Sequence, residues 1–151
     1  MFLVKKNKKM IDIKIISLQD TKNMNIIRKI RYEVFCIEQK VSPEGDWDNK
    51  LSENYLLYYD NKPCATMRYR QVGRCVKLER LCVLQEYRNK KLATILIKKV
   101  MEDVKHLSNK TLLLHAQVYL LKFYENLGFV KHGKIFTEEG IQHYTMTFQN
   151  H

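Results

Sequence analysis

No stretch of this 151-residue chain approaches the roughly 20 apolar residues that a membrane span needs. The opening MFLVKKNKKM carries lysines with no apolar run behind them, so residues 1–10 read as a basic arm and not as a secretory signal. Acid is scarce: 16 Asp and Glu stand against 27 Lys and Arg, a formal net charge of +11. That balance disfavours polycationic acceptors such as polyamines or basic protein tails. It favours anions, whether nucleic acid, acidic lipid or a small phosphorylated ligand, although lysines also serve solubility alone. Zinc-type spacing is missing. Cys36, Cys64, Cys75 and Cys82 form no C-x-x-C pair, and none has a histidine at ligand distance in sequence. Cys64, Cys75 and Cys82 fall in expected strands, where a thiol packs as a small hydrophobe. A reducing, cytoplasmic setting without a structural metal is the expectation. A nucleic-acid-binding module would suit the charge and the nine tyrosines. No aromatic-glycine pattern of the RNA-binding type is present, however, and the tyrosines are scattered.

With 45% apolar residues and no repeat or linker, residues 11–151 are expected to form a single domain with its own core. Ile11 to Ser17 alternates as a strand does. Thr21 to Gln39 carries Met24, Ile27, Ile30, Val34 and Ile37 at helical spacing, with Asp20 or Thr21 as cap. A turn-rich acidic loop follows. Tyr55–Tyr59 and Cys64–Gln71 read as a hairpin through DNKP, and Arg74–Leu84 as a fourth strand. Arg88–His106 is a long amphipathic helix, Thr111–Gln117 a buried strand, and Tyr119–Leu127 a short helix closed by Gly128. Val130–Phe136 and His143–Phe148 close the chain. The order β-α-β-β-β-α-β-α-β-β predicts a mixed α/β sheet.

The stretch Val76 to Met101 is the centre of interest, because a strand runs straight into a helix whose entry bears Arg88, Lys90 and Lys91. Cations there oppose the helix dipole at a few tenths of a kcal/mol each. A bound anion would remove the conflict, since free backbone N–H groups and positive side chains would then face one negative ligand.

This arrangement resembles the GNAT N-acetyltransferases, whose signature [RQ]-x-x-G-x-[GA] at the helix entry stands here as Arg88-Asn89-Lys90-Lys91-Leu92-Ala93, with Lys91 at the middle glycine. Downstream, Ala116, Gln117, Phe123, Tyr124, Gly128 and Phe129 match the pattern A-Q-x-H-x-x-x-F-Y-x-x-x-G-F of a small bacterial branch, and Glu139, Gly140, Ile141, His143 and Met146 its later segment. RYEVFCIEQKV, from Arg31, resembles the branch upstream. Two branch histidines fall at Asn54 and Tyr119. The resemblance covers about Arg31 to Met146. It implies a GNAT fold and direct transfer of acetyl from acetyl-CoA to a primary amine, with no metal. Homodimers are frequent in the family.

The resemblance also implies roles. Leu81, Cys82 and Val83 would offer backbone to pantetheine as an added strand, with N–H groups near Cys82 and Val83 polarising the carbonyl. Asn89, Lys90, Lys91, Leu92 and Ala93 would hold the pyrophosphate, with Arg88 adding charge and Gln117 lining the donor site. Glu79 is the expected base for the amine proton, or else a cross-strand ion pair with a neighbouring Lys or Arg. Tyr124 is the expected proton or hydrogen-bond donor to the leaving thiolate, or else a core aromatic with Leu120, Leu121 and Leu127. Arg31, Arg68 and Arg80 are expected to bind a substrate phosphate, while Arg70 and Arg74 read as surface. His143 is expected at the acceptor or as a satisfied sheet histidine. Glu44, Asp46, Asp48 and Glu53 would hold an ammonium or form a solvated turn. With the charge balance, the family's amino-sugar reactions point to glucosamine 6-phosphate as acceptor.

Overall fold

The computed structural model describes residues 9–43, 50–107 and 111–149. Seven strands form one sheet: β1 (Ile11–Ile16), β2 (Ser52–Tyr59), β3 (Lys62–Val72), β4 (Cys75–Val83), β5 (Thr111–Gln117), β6 (Val130–Glu138) and β7 (Ile141–Gln149), in the spatial order β1-β2-β3-β4-β5-β7-β6. Every neighbouring pair is antiparallel except β4 and β5. Helix α1 (Thr21–Arg31) covers one face of the sheet; α2 (Leu92–Val104) and α3 (Leu121–Asn126) cover the other. The mixed α/β sheet expected from the sequence is the one observed. Among the described residues, no helix is long and apolar enough to cross a membrane. Of the basic arm, only Lys9 and Met10 lie within the described residues; the Lys9 ammonium meets Asp60 at 3.3 Å.

Period-two burial builds the two faces. Tyr55, Leu57, Ala65, Met67, Val76, Leu78, Leu112, Leu114 and Met146 pack with Leu92, Leu96, Ile97 and Val100 of α2 and with Tyr124 and Phe129. On the opposite face Leu56 and Cys82 meet Met24, Ile27, Ile30 and Val34. Asp20 caps α1 by accepting from the Asn23 N–H at 3.2 Å. The β2–β3 turn takes Asp60 and Asn61 at φ 51° and 67°, as a two-residue hairpin of this hand requires. Gly128 ends α3 at φ +98°, and a Cβ there would stand 2.9 Å from the Phe148 ring.

Two expected helices differ in a way that bears on function. The predicted Thr21–Gln39 helix is α-helical only to Arg31; Tyr32–Glu38 is a wider π-helical turn. Such a turn changes the phase of the side chains after it. Val34 stays in the core, while Glu38 and Gln39 reach across the sheet. The long helix begins at Leu92 rather than Arg88, because Arg88 is extended and both Asn89 (φ 64°) and Lys91 (φ 61°) are left-handed.

Candidate active site

Strands β4 and β5 pair only over Cys75–Lys77 and Thr111–Leu113. Beyond those residues they diverge, and β5 stays bonded to β7 on its far side as far as Gln117. The β4 edge from Leu78 to Val83 is therefore unpaired toward β5. A bulge adds a second break: Thr66 pairs with Cys82 but Arg68 with Glu79, so Met67 faces two residues, and Arg80 takes φ 59°. The extra residue reverses the alternation. Val76 and Leu78 face α2 before the bulge, and Leu81 and Val83 pack on that side after it. Cys82 turns to the α1 face, where burial pushes its thiol up to about 12 and leaves it inert as a nucleophile.

The open V holds a trough and a second hollow. Leu81, Cys82, Val83, Ala93, Gln117, Leu120, Phe123 and Tyr124, among others, line the trough. It continues into a recess at the start of α2 lined by Asn89, Lys91, Leu92, Ala93 and Thr94. The α2 entry holds two left-handed residues, and Lys91, at the N-cap position, takes the glycine conformation with no side-chain capping bond. The basic trio does not act together. Arg88 donates to the Val83 carbonyl at 3.1 and 3.0 Å and to both oxygens of Glu38 at 2.6 Å. Arg88 lines both the trough and the recess, with its two terminal nitrogens engaged by Glu38. Lys90 lies over the Tyr59 ring, 5.4 Å from its centre, and away from the recess. Gln117 and Gln39 exchange amide hydrogen bonds at 3.0 and 3.4 Å. The π-helical turn therefore bridges the mouth of the V, with Glu38 tied to the β4 side and Gln39 to the β5 side.

Tyr124 lines both the trough and the second hollow. Its ring stands edge-on to Phe123 and Phe129. Burial raises the phenol's pKa, so it stays protonated and able to donate.

The second hollow is lined by Lys77, Glu79, Arg80, His115, Gln117, Glu138 and His143, among others. Glu79 is only 11% exposed; it receives the Arg70 Nε at 2.8 Å, with Arg68 Nε at 3.4 Å and Lys77 Nζ at 3.5 Å. Burial acts to raise its pKa, but the Arg70 hydrogen bond and the charges of Arg68, Lys77 and Arg70 outweigh it and hold the carboxyl below the usual range. The ion pair, one of two expectations for Glu79, is present, and a carboxylate so engaged is a weak base. Arg31 and Arg68, expected at a substrate phosphate, are 0% and 1% exposed and do not line the hollow. Arg31 instead donates to Asn54 Oδ1 at 2.7 Å. Arg70, read as surface, belongs to the Glu79 cluster. His143 lies in the hollow, donates from Nδ1 to the Ile141 carbonyl at 2.7 Å, and stacks on Phe136. Of the acidic loop, Glu44, Asp46 and Asp48 fall outside the described residues. Glu53, described at an exposed position on β2, does not line the hollow.

Residues 20–149 match the acetyltransferase (GNAT) domain family. The chain belongs to that family. YyaT, an uncharacterised protein of Bacillus subtilis (strain 168), is 36% identical over 124 residues, covering 79% of this chain and 84% of that one. YjcF, an uncharacterised N-acetyltransferase of the same organism, is 32% identical over 120 residues, or 78% and 86%. An acyl-CoA N-acyltransferase from Pseudomonas aeruginosa superposes with a TM-score of 0.78 at 22% identity, over 93% of this chain and 99% of that one. The PaiA N-acetyltransferase of Thermoplasma acidophilum, solved in complex with coenzyme A, gives 0.67 at 14% identity over 93% and 99%. The structural neighbours share the fold, and the family match makes this GNAT chain an N-acetyltransferase. Sequence reasoning missed Glu38, Gln39, His115 and Glu138 in this GNAT site. Gln39 and Gln117 are 78 residues apart, and His115 and Glu138 sit on strands separated in space by β7, so no local spacing signals either pair.

Proposed function

We propose that the chain transfers the acetyl group of acetyl-CoA to the primary amine of a small anionic acceptor, with glucosamine 6-phosphate as the first candidate. The observation that carries this reading is the unpaired β4 edge opening past Lys77 and Leu113. An open strand edge suits the amides of pantetheine, and the recess lined by Asn89, Lys91, Leu92 and Ala93 at the start of α2 suits a pyrophosphate. Acetyl-CoA, when bound, supplies an activated thioester carbonyl.

The chain's own residues do the rest. The backbone released by the bulge at Arg80 offers N–H groups to the carbonyl oxygen as charge develops there. The neutral amine nitrogen bonds to the carbonyl carbon, the C–S bond breaks, the nitrogen's extra proton passes to the departing sulfur, and the Tyr124 hydroxyl donates a hydrogen bond to that sulfur. Lys77 and Arg80, on the wall of the hollow, favour an acceptor that carries negative charge. Glu79 keeps Arg70 and Lys77 in register beside it.

Thiol release from acetyl-CoA with a panel of amines tests the reading. We expect turnover with glucosamine 6-phosphate to exceed that with glucosamine, because only the former meets the cations of the wall. A chain that acetyl-CoA stabilises thermally but that releases no thiol with any amine would be a donor-binding protein and not a transferase. Tyr124→Phe should lower kcat by about 10- to 100-fold, a loss of roughly 1.4–2.7 kcal/mol in transition-state stabilisation, with little change in acetyl-CoA affinity.

A further inference from the structure

Glu79 and His115 occupy equivalent places on the two diverging strands. Lys77 pairs with Leu113, and two residues on, with the same face of each strand presented, stand Glu79 and His115. Both line one hollow with Tyr124, so they look at the acceptor from opposite walls. Their surroundings differ. The Glu79 carboxylate is taken up by Arg70, Arg68 and Lys77. The His115 ring is 28% exposed, and its Nδ1 lies 3.1 Å from Glu138 Oε2 and 3.4 Å from Oε1. Phe136 stands edge-on to the same ring, with centres 4.9 Å apart.

We infer that His115 is the general base that takes the acceptor's amine proton, and that Glu138 is its positioning residue. The inference rests on the acetyltransferase reading above. The His115 hydrogen bond, aided by nearby His143 and Lys77, keeps the Glu138 carboxyl below its usual range despite partial burial. An ionised carboxylate can only accept, so Nδ1 carries the hydrogen and Nε2 holds the free lone pair. That is the tautomer an imidazole needs to act as a base from a fixed orientation. The charged and titratable groups facing the ring's hollow are Lys77, Glu79 and Arg80 from β4, Glu138 from β6, His143 from β7 and Tyr124 from α3. In the reaction, Nε2 accepts one proton of the bound ammonium and the freed nitrogen pair attacks the thioester carbonyl; as the C–S bond breaks, the nitrogen's second extra proton passes to the departing sulfur, which the Tyr124 hydroxyl meets. Partial exposure lets the imidazolium return its proton to water.

The test is the pH profile of kcat/KM in the thiol-release assay, using the best acceptor of the panel. The unsubstituted chain must first turn over; if it does not, the acetyltransferase reading has failed and not this assignment. For a working chain, we expect an acid limb that depends on the side chain of His115. In His115→Gln the limb should vanish, and a rate lowered by about 100-fold should climb with pH up to the acceptor's own amine pKa. His115→Ala should recover activity with added imidazole. Glu138→Gln should lower kcat and Glu138→Asp should restore part of it, while acetyl-CoA affinity stays as it was. The unsubstituted chain's own acid limb persisting at the same pH in His115→Gln, or disappearing in Glu79→Gln instead, overturns the assignment. So does His115→Ala that stays folded by thermal melt yet shows no imidazole rescue.

Discussion

Lys91 holds a left-handed backbone that glycine adopts freely, at φ 61° and ψ 22°. For an L-residue that conformation costs about 1–2 kcal/mol. A glycine would remove this strain but would lose about 0.5–1 kcal/mol through its greater freedom in the unfolded chain. Lys91→Gly should therefore stabilise the fold by about 0.5–1 kcal/mol, which for a chain of this size raises Tm by about 1–4 °C. The Lys91 side chain is exposed and caps nothing, so little packing is lost on truncation. Lys91→Ala separates the two contributions. It removes the same cation from the dipole's positive end but keeps the strained backbone, so the difference between the variants isolates conformation. Thermal and urea melts of both report it. If Lys91→Ala proves as stable as Lys91→Gly, the strain argument is refuted. The same pair measures the charge. If the ammonium meets the donor's pyrophosphate, both variants should raise the acetyl-CoA KM by about 2- to 5-fold, equivalent to roughly 0.4–1 kcal/mol, and salt should shrink the effect. An unchanged KM at low ionic strength would take the Lys91 side chain out of the donor site.

Three further outcomes follow from the packing. Gly128→Ala combines an unfavourable φ with a Cβ placed 2.9 Å from Phe148 Cε2; it should cost about 2 kcal/mol or more in a urea melt, and an unchanged midpoint would contradict the geometry. The Glu79 carboxyl is held below its ordinary range, so its stabilisation is present above the unfolded value and is lost as the pH falls through the folded one. Stability curves should accordingly drop below about pH 4.5, and Glu79→Gln should flatten the drop; a steeper one would reverse the sign argued here. Glu38→Gln removes the negative charge and one of the two oxygens that accept from Arg88, and since the pair is about one-third exposed the loss should stay within about 1 kcal/mol. Its larger effect should be on the acetyl-CoA KM, read by steady-state kinetics, as the bridge over the cleft loosens.

What the chain determines locally was legible. Strand alternation, the caps at Asp20 and Gly128, the turns at Asp60 and Gly140, and the strand-to-helix entry at Arg88–Ala93 all lie within a few residues of their causes. They are enough to foresee the mixed sheet; only the resemblance to the GNAT family points to Leu81–Val83. Lys91 at the glycine position was legible as a choice between two backbones, and the fold selects the left-handed one. The partners of charged side chains were not legible, because the sheet assembles them. Arg88 meets a glutamate 50 residues away, and Glu79 meets cations from β3 as well as its own strand. His115 finds Glu138 across β7. The bulge at Arg80 likewise follows from the register of β3 against β4, which no residue in the stretch VKLERLCV announces. A sequence sets periodicity and backbone preference residue by residue, so elements can be read from it. Which charge neutralises which, and hence which group remains free to take a proton, depends on distances of a few ångströms that exist only once distant strands are side by side.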